Sequence, residues 1–134
     1  MFIDASAIVA ILGEEAGWQP ILSKLEEKGE NLYISPLVRF EAVQALARKQ
    51  AGPSARPSAA IIDGARQILD AFIARLQIEE IPVSVQLGSL ALEASARYGK
   101  AVGHPADLNF GDCFAYACAK ALGVPLFTRG VTSP

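Results

Sequence analysis

Asp4, Glu41 and Asp112 are three isolated acids in a chain of 134 residues. Asp4 closes an opening apolar stretch, Met1-Phe2-Ile3-Asp4, and Asp112 opens a helix near the other end of the chain, in Leu108-Asn109-Phe110-Gly111-Asp112. A parallel sheet gathers its ligands outside the carboxyl ends of its strands, and Asp4 occupies such an end. Carboxylates brought together there repel one another unless a divalent cation neutralises them, so convergence of the three amounts to a metal site. Oxygen donors without histidine or cysteine partners favour Mg²⁺ or Mn²⁺ over zinc.

The elements that must position these acids follow from periodicity. Residues 1–4 read as a strand and 5–12 as a short helix that turns Ile8, Val9, Ile11 and Leu12 inward. A second helix is expected over 16–28, with Trp18, Ile21, Leu22 and Leu25 on one face and Gly29 as its stop. Residues 31–34 form the next strand. Ser35 followed by Pro36 starts a helix that runs to about residue 50 and contains Glu41. There Leu37, Glu41 and Gln44 share a face beside the apolar positions Phe40, Val43 and Ala47, which sets Glu41 at the margin of a cleft.

Residues 51–57 are a loop rich in glycine and proline. Beyond it, Ile61, Ile62, Ala65, Leu69, Phe72, Ile73 and Leu76 mark one face of a long helix that packs on its predecessor as a hairpin. Residues 77–83 make the third strand, Ser84 caps a helix ended by Gly99, and 100–108 form a loop. The helix over 110–122 and the strand over 125–128 follow. Strands separated by helices require crossovers, so the expectation is a single domain of the α/β class with a mainly parallel sheet of four or five short strands.

Composition narrows the function classes. Apolar residues make up 51% and charged ones 19%, enough for one hydrophobic core, and no apolar run approaches the roughly 20 residues that span a bilayer. The N-terminus enters a strand at once instead of showing a leader pattern, so the cytoplasm is the expected compartment. A net charge of −2 gives no global basic field, and nucleic-acid binding must come from a local patch or through a metal. Cys113 and Cys118 point roughly 140° apart on their helix and are expected to be buried thiols.

The segments FIDASAIVAIL (2–12), SPLVRFEAVQALAR (35–48) and above all HPADLNFGDCFAYACAKALGVPLF (104–127) resemble the PIN domain, specifically the VapC toxins of toxin–antitoxin pairs. The resemblance spans nearly the whole chain. It implies a three-layer α/β/α sandwich and a Mg²⁺- or Mn²⁺-dependent endoribonuclease that cleaves tRNA or ribosomal RNA, forms a homodimer and is inhibited by a cognate VapB antitoxin. By the same resemblance Asp4 and Asp112 hold the metal directly, and Glu41 binds through water or positions the attacking water. Ser6 helps orient the first acid, and Thr128 matches a similar hydroxyl position. The tail departs from the pattern: members usually continue into a turn with a fourth acid, often a Phe and a final strand, whereas this chain reads as shortened, with Gly130 near the place of that acid. Asp107 is the nearest spare carboxylate.

Each residue also has a simpler reading. Asp4 makes a good N-cap, worth about 1 kcal/mol, and Asn109 to Asp112 has the form of a capping box. Glu41 can be a solvated helix position and His104 a surface residue in its loop, while Arg39, Arg48, Lys49 and Lys100 can be ordinary solubilising charge. Two rivals to the nuclease stand beside it. One is a catalytically impaired PIN-like protein that acts by binding its antitoxin or RNA, favoured by the missing fourth acid. The other, a nucleotide-binding domain, is disfavoured because the turn after the first strand, Asp4-Ala5-Ser6-Ala7, lacks a glycine-rich phosphate cradle.

Overall fold

The computed structural model describes residues 1–129 and, for residues 131–133, the course of the backbone. Its elements are β1 (Phe2–Ile3), α1 (Ala5–Leu12), α2 (Trp18–Leu25), β2 (Tyr33–Ile34), α3 (Pro36–Ala51), α4 (Ala59–Leu76), β3 (Glu79–Glu80), α5 (Val85–Tyr98), α6 (Phe110–Leu122), β4 (Leu126–Thr128) and β5 (Val131–Ser133). The sheet runs β3-β2-β1-β4-β5. Its first four strands are parallel and β5 pairs antiparallel with β4, so the fold class is the expected one and the fifth strand is present.

The central strand explains why this sheet is covered on both sides. Phe2 and Ile3 point to opposite faces, and both are fully buried, together with Ile34 and Phe127 on the neighbouring strands. From β1 the chain goes to β2 and β3 on one side and comes back to β4 on the other. That reversal opens a crevice at the carboxyl ends of β1 and β4, the place where α/β sheets take ligands. Asp4 and Thr128 stand at those two ends, and the Asp4 amide donates to the Phe127 carbonyl at 2.9 Å.

Helix starts follow the chemistry of their first residues. The hydroxyls of Ser35, Ser58 and Ser84 accept from the amides of Val38, Ile61 and Leu87, and Pro36 occupies the first turn of α3 without forfeiting a bond. The expected pairing of α3 with α4 is present, as is a tight α5/α6 pair with Ala91, Ala94, Cys113 and Ala117 between them. Both cysteines are free and buried, and burial pushes the Cys118 thiol up to about 11.

Several boundaries differ from the sequence reading. The second helix covers Trp18–Leu25 and not 16–28. Gly17 takes a left-handed conformation before it, and after the buried Leu25 the charged Glu26, Glu27 and Lys28 are exposed and bury no apolar face that would extend the helix. The third strand shrinks to Glu79–Glu80, because Gln77 adopts φ 53° to close α4. The loop after α5 holds a short 3₁₀ turn, Lys100–Val102. Phe40 is not an apolar core position: it is 64% exposed. Among the described residues, no helix is long and apolar enough to cross a membrane.

Candidate active site

Asp4 is buried at the junction of β1 and α1, where its carboxylate accepts from the Ser6 amide at 3.2 Å and caps the helix. Asp112 is in the first turn of α6 and completes a capping box. Its Oδ2 accepts from the Asn109 amide at 3.0 Å, and Asn109 Oδ1 accepts from the Asp112 amide at 2.9 Å. Both simpler readings of these acids are therefore present. Each cap fixes its carboxylate in a set orientation at the positive end of a helix.

Glu41 connects the two. Half-buried in α3, its carboxyl is raised above the ordinary glutamate range, first by burial and then by the charges of Asp4 and Asp112. These are three acids within electrostatic reach of one another, and among the described residues no cation figures among the causes that act on Glu41. Among the described residues no three carboxylate, imidazole or thiolate groups are already drawn into a metal-ligating cluster.

Gly111 is a residue the sequence reading passed over. A Cβ built there would come within 2.4 Å of Glu41 Oε2 and 2.5 Å of Oε1. The Glu41 carboxylate therefore lies directly against the first turn of α6, beside Asp112, and only the missing side chain leaves room for it. A glycine inside a helix, which costs about 1 kcal/mol against alanine, was the available signal.

Beside the acids runs a cleft of about 530 Å³. Its wall follows α3 from Phe40 and Glu41 through Gln44 and Ala45 to Arg48, with Ala5, Ser6 and Val9 of α1 and with Glu15 and Arg129. Asp4 and Asp112 are not in this wall. Ser6 is exposed at the cleft and supplies its amide, not its hydroxyl, to Asp4. Thr128 ends β4, half-buried and paired in register with Val131. Glu15 holds Lys49 Nζ at 2.7 Å and Arg129 Nη1 at 2.8 Å. The hydrogen bond from Lys49 comes first among the causes that depress its carboxyl, with the charges of Lys49 and Arg129 adding to it against some desolvation.

The other candidates lie elsewhere. Arg39 is tied to Glu80 at 2.7 Å and to Asp70, which holds its guanidinium above the ordinary arginine range. His104 sets its ring edge-on to Tyr98 at 5.3 Å and accepts from the Ala106 amide at 2.9 Å. Asp107 is exposed in the same loop with φ 53° and does not line the cleft. Lys100 lines a different, apolar groove of about 910 Å³ between α5 and α6. Gly130, near the place of the family's fourth acid, lies outside the described residues.

The PIN domain model matches residues 1–131. A VapC ribonuclease of Rhizobium meliloti (strain 1021) is 47% identical over 131 residues, which cover 96% of this chain and 92% of the relative. Ribonuclease VapC42 of Mycobacterium tuberculosis is 34% identical over 130 residues, covering 97% and 90%. The crystal structure of Mycobacterium tuberculosis VapC20, a sarcin-ricin loop cleaving toxin, superposes with a TM-score of 0.67 over 95% of this chain and 87% of that one. At 18% identity that likeness speaks for the fold alone. The chain belongs to the PIN-domain family, among the VapC ribonucleases.

Proposed function

We propose that this chain is a cytoplasmic VapC-type toxin, an endoribonuclease that uses Mg²⁺ or Mn²⁺ to hydrolyse phosphodiesters in tRNA or ribosomal RNA and is silenced by a VapB antitoxin. The observation that carries it is the position of Glu41, whose carboxyl lies against the first turn of α6 beside Asp112 and is raised first by burial and then by the charges of Asp4 and Asp112. Three hard oxygen donors repelling one another at the carboxyl end of a parallel sheet create a demand for a divalent cation, and the donor set fits Mg²⁺ or Mn²⁺. A bound ion of this kind lowers the pKa of its water and neutralises charge on the phosphate.

In this reading Asp4 and Asp112 each keep one oxygen in a helix cap and offer the other as a ligand. Glu41, held against Gly111, orients the attacking water. Ser6 and Thr128 steady the first acid and the strand ends around it. The exposed Val85, Leu92 and Phe110 beside the α5/α6 groove supply apolar area for a homodimer. An antitoxin segment inhibits by bringing a cation to the acids in place of the metal.

The test is cleavage of total tRNA and ribosomal RNA by the purified chain with Mg²⁺ or Mn²⁺, beside EDTA and an Asp4→Asn variant. Defined fragments that vanish in both controls are expected. Cleavage that persists in a well-folded Asp4→Asn protein would sink the assignment. The second reading, a catalytically impaired protein that works by binding, draws on the glycine at position 130 where the family has an acid. Metal stoichiometry by calorimetry separates the two, since a two-ion site loses more from that gap than a one-ion site.

A further inference from the structure

Phe40 is one of the large apolar side chains left exposed by the fold, and it lines the cleft that holds Glu41. The buried stripe of α3 is Val38, Ala42, Val43, Leu46 and Ala47, whereas Phe40, Gln44 and Arg48 form a second stripe that lines the cleft. Four-residue steps bring them up one side of the helix at about 6 Å per step. Phe40 and Glu41 both line the cleft, so the ladder starts at the level of Glu41. A lone exposed phenylalanine is ordinary. This one has no aromatic partner among the described residues, unlike Phe110, whose ring packs on Phe114 at 5.1 Å.

The charge around the ladder points to its occupant. Arg48 has no ion pair among the described residues, and Arg129, across the cleft, shares Glu15 with Lys49. A partner helix would want a continuous apolar strip, such as the α5/α6 groove provides. One aromatic face followed by an amide and a free guanidinium is instead the combination that binds single-stranded nucleic acid, with the ring under a base and the cation on the backbone.

We propose that Phe40, Gln44 and Arg48 form a subsite for single-stranded RNA next to the cleavage point: an unstacked base lies on the Phe40 ring, Gln44 hydrogen-bonds the nucleotide, and Arg48 takes a neighbouring phosphate. The subsite rests on the ribonuclease reading and gives it a substrate geometry. It selects RNA whose bases are already splayed from a stack, because a base held in a duplex cannot reach the ring.

The experiment measures binding of a fluorescein-labelled, mixed-sequence single-stranded RNA 15-mer and of its duplex to the full chain in EDTA, with thermal melting of each variant and a parallel Mg²⁺ cleavage assay. Phe40→Ala is expected to weaken single-strand binding about 5- to 150-fold, the span for loss of one base–aromatic stack. Its melting temperature should be unchanged. Phe40→Trp should retain affinity, and Arg48→Gln should flatten the salt dependence by roughly 0.7 in log–log slope, one phosphate contact. Wild-type affinity in Phe40→Ala, with wild-type cleavage intact, overturns the subsite and leaves the nuclease standing. Unchanged RNA affinity with weakened capture of an antitoxin peptide assigns Phe40 to a protein partner and overturns it as well. No single-strand binding by the wild-type chain overturns the subsite, and the nuclease reading falls with it only where the Mg²⁺ cleavage assay is blank as well.

Discussion

Glu15 and Glu41 face the same cleft, the first from the turn after α1 and the second from α3, yet their surroundings act in opposite directions. Glu15 is held by Lys49 and Arg129, and its carboxyl is depressed. Glu41 is half-buried with Asp4 and Asp112 for neighbours, and its carboxyl is raised, first by burial and then by those charges. Ordinary structural carboxylates resemble the first, satisfied by cations of the same chain. The second is left with like charges, which only something from outside the chain can neutralise. The wall is thus polarised, with Lys49 and Arg129 engaged by Glu15 at one end and a cation demanded at the other.

Removing a charge from the demanding end should have the largest effect. Asp4→Asn keeps an amide oxygen for the Ser6 amide, and asparagine caps a helix about as well as aspartate, so the melting temperature should hardly move. Cleavage should fall by more than about 100-fold, beyond the 10–100-fold that loss of a merely supporting group costs at a metal site. Equal activity at saturating Mn²⁺ would show that the acidic end is a pair of helix caps and nothing more.

A subtler break leaves all three acids in place. Gly111→Ala sets a methyl where the Glu41 carboxylate lies and pushes that carboxylate off the α6 turn. Mn²⁺ affinity by calorimetry should fall roughly 10- to 100-fold, and Glu41→Asp added to Gly111→Ala should recover part of it by withdrawing the carboxylate one methylene. A merely structural role for Gly111 predicts instead a changed melting temperature, untouched metal affinity and no recovery in the double variant.

Gly111 also marks how far the sequence could be read. Helix existence, the parallel sheet and the caps at Ser35, Ser84 and Asn109 were legible because each depends on local periodicity or on residues three positions apart. The acids were legible for the same reason at Asp4 and Asp112, since a strand end and a helix start are local features. The contact of Gly111 with Glu41 joins residues far apart in the chain: a glycine inside a helix marks the position, but nothing local names its partner. Phe40 shows the converse failure. Hydrophobicity placed it inside, but the stripe of Val38, Ala42 and Leu46 already fills the core side of α3, and the remaining face turns to the cleft. Helix ends such as Leu25 were misjudged because packing, not propensity, decides where a charged turn frays.

The comparison can be sharpened by titrating stability without metal. Glu41 in the fold binds its proton more tightly than in the unfolded chain, so over the range above the ordinary glutamate value the folded state holds more protons. Stability then falls as pH rises through the folded pKa. Glu41→Gln removes this penalty. Its melting temperature should exceed that of the wild type at neutral pH in EDTA, and the advantage should vanish below the ordinary glutamate range. Added Mn²⁺ should reverse the order by stabilising only the wild type. Parallel melting curves across pH would mean that Glu41 does not feel its acidic neighbours.

The smallest effect should come from the satisfied end. Glu15→Gln dissolves two partly exposed ion pairs, each worth about 0–1 kcal/mol after solvent screening, so the stability loss should be slight. Its consequence for RNA should be larger than its consequence for folding. Lys49 and Arg129 lose the carboxylate that occupies them, and the cleft gains a unit of positive charge beside Arg48. Single-strand binding should tighten, and its dependence on salt should steepen. Should binding weaken instead, Glu15 is aiming the two cations along the cleft and not merely neutralising them, and the two glutamates would then both be serving the substrate, one through the metal and one through the basic wall.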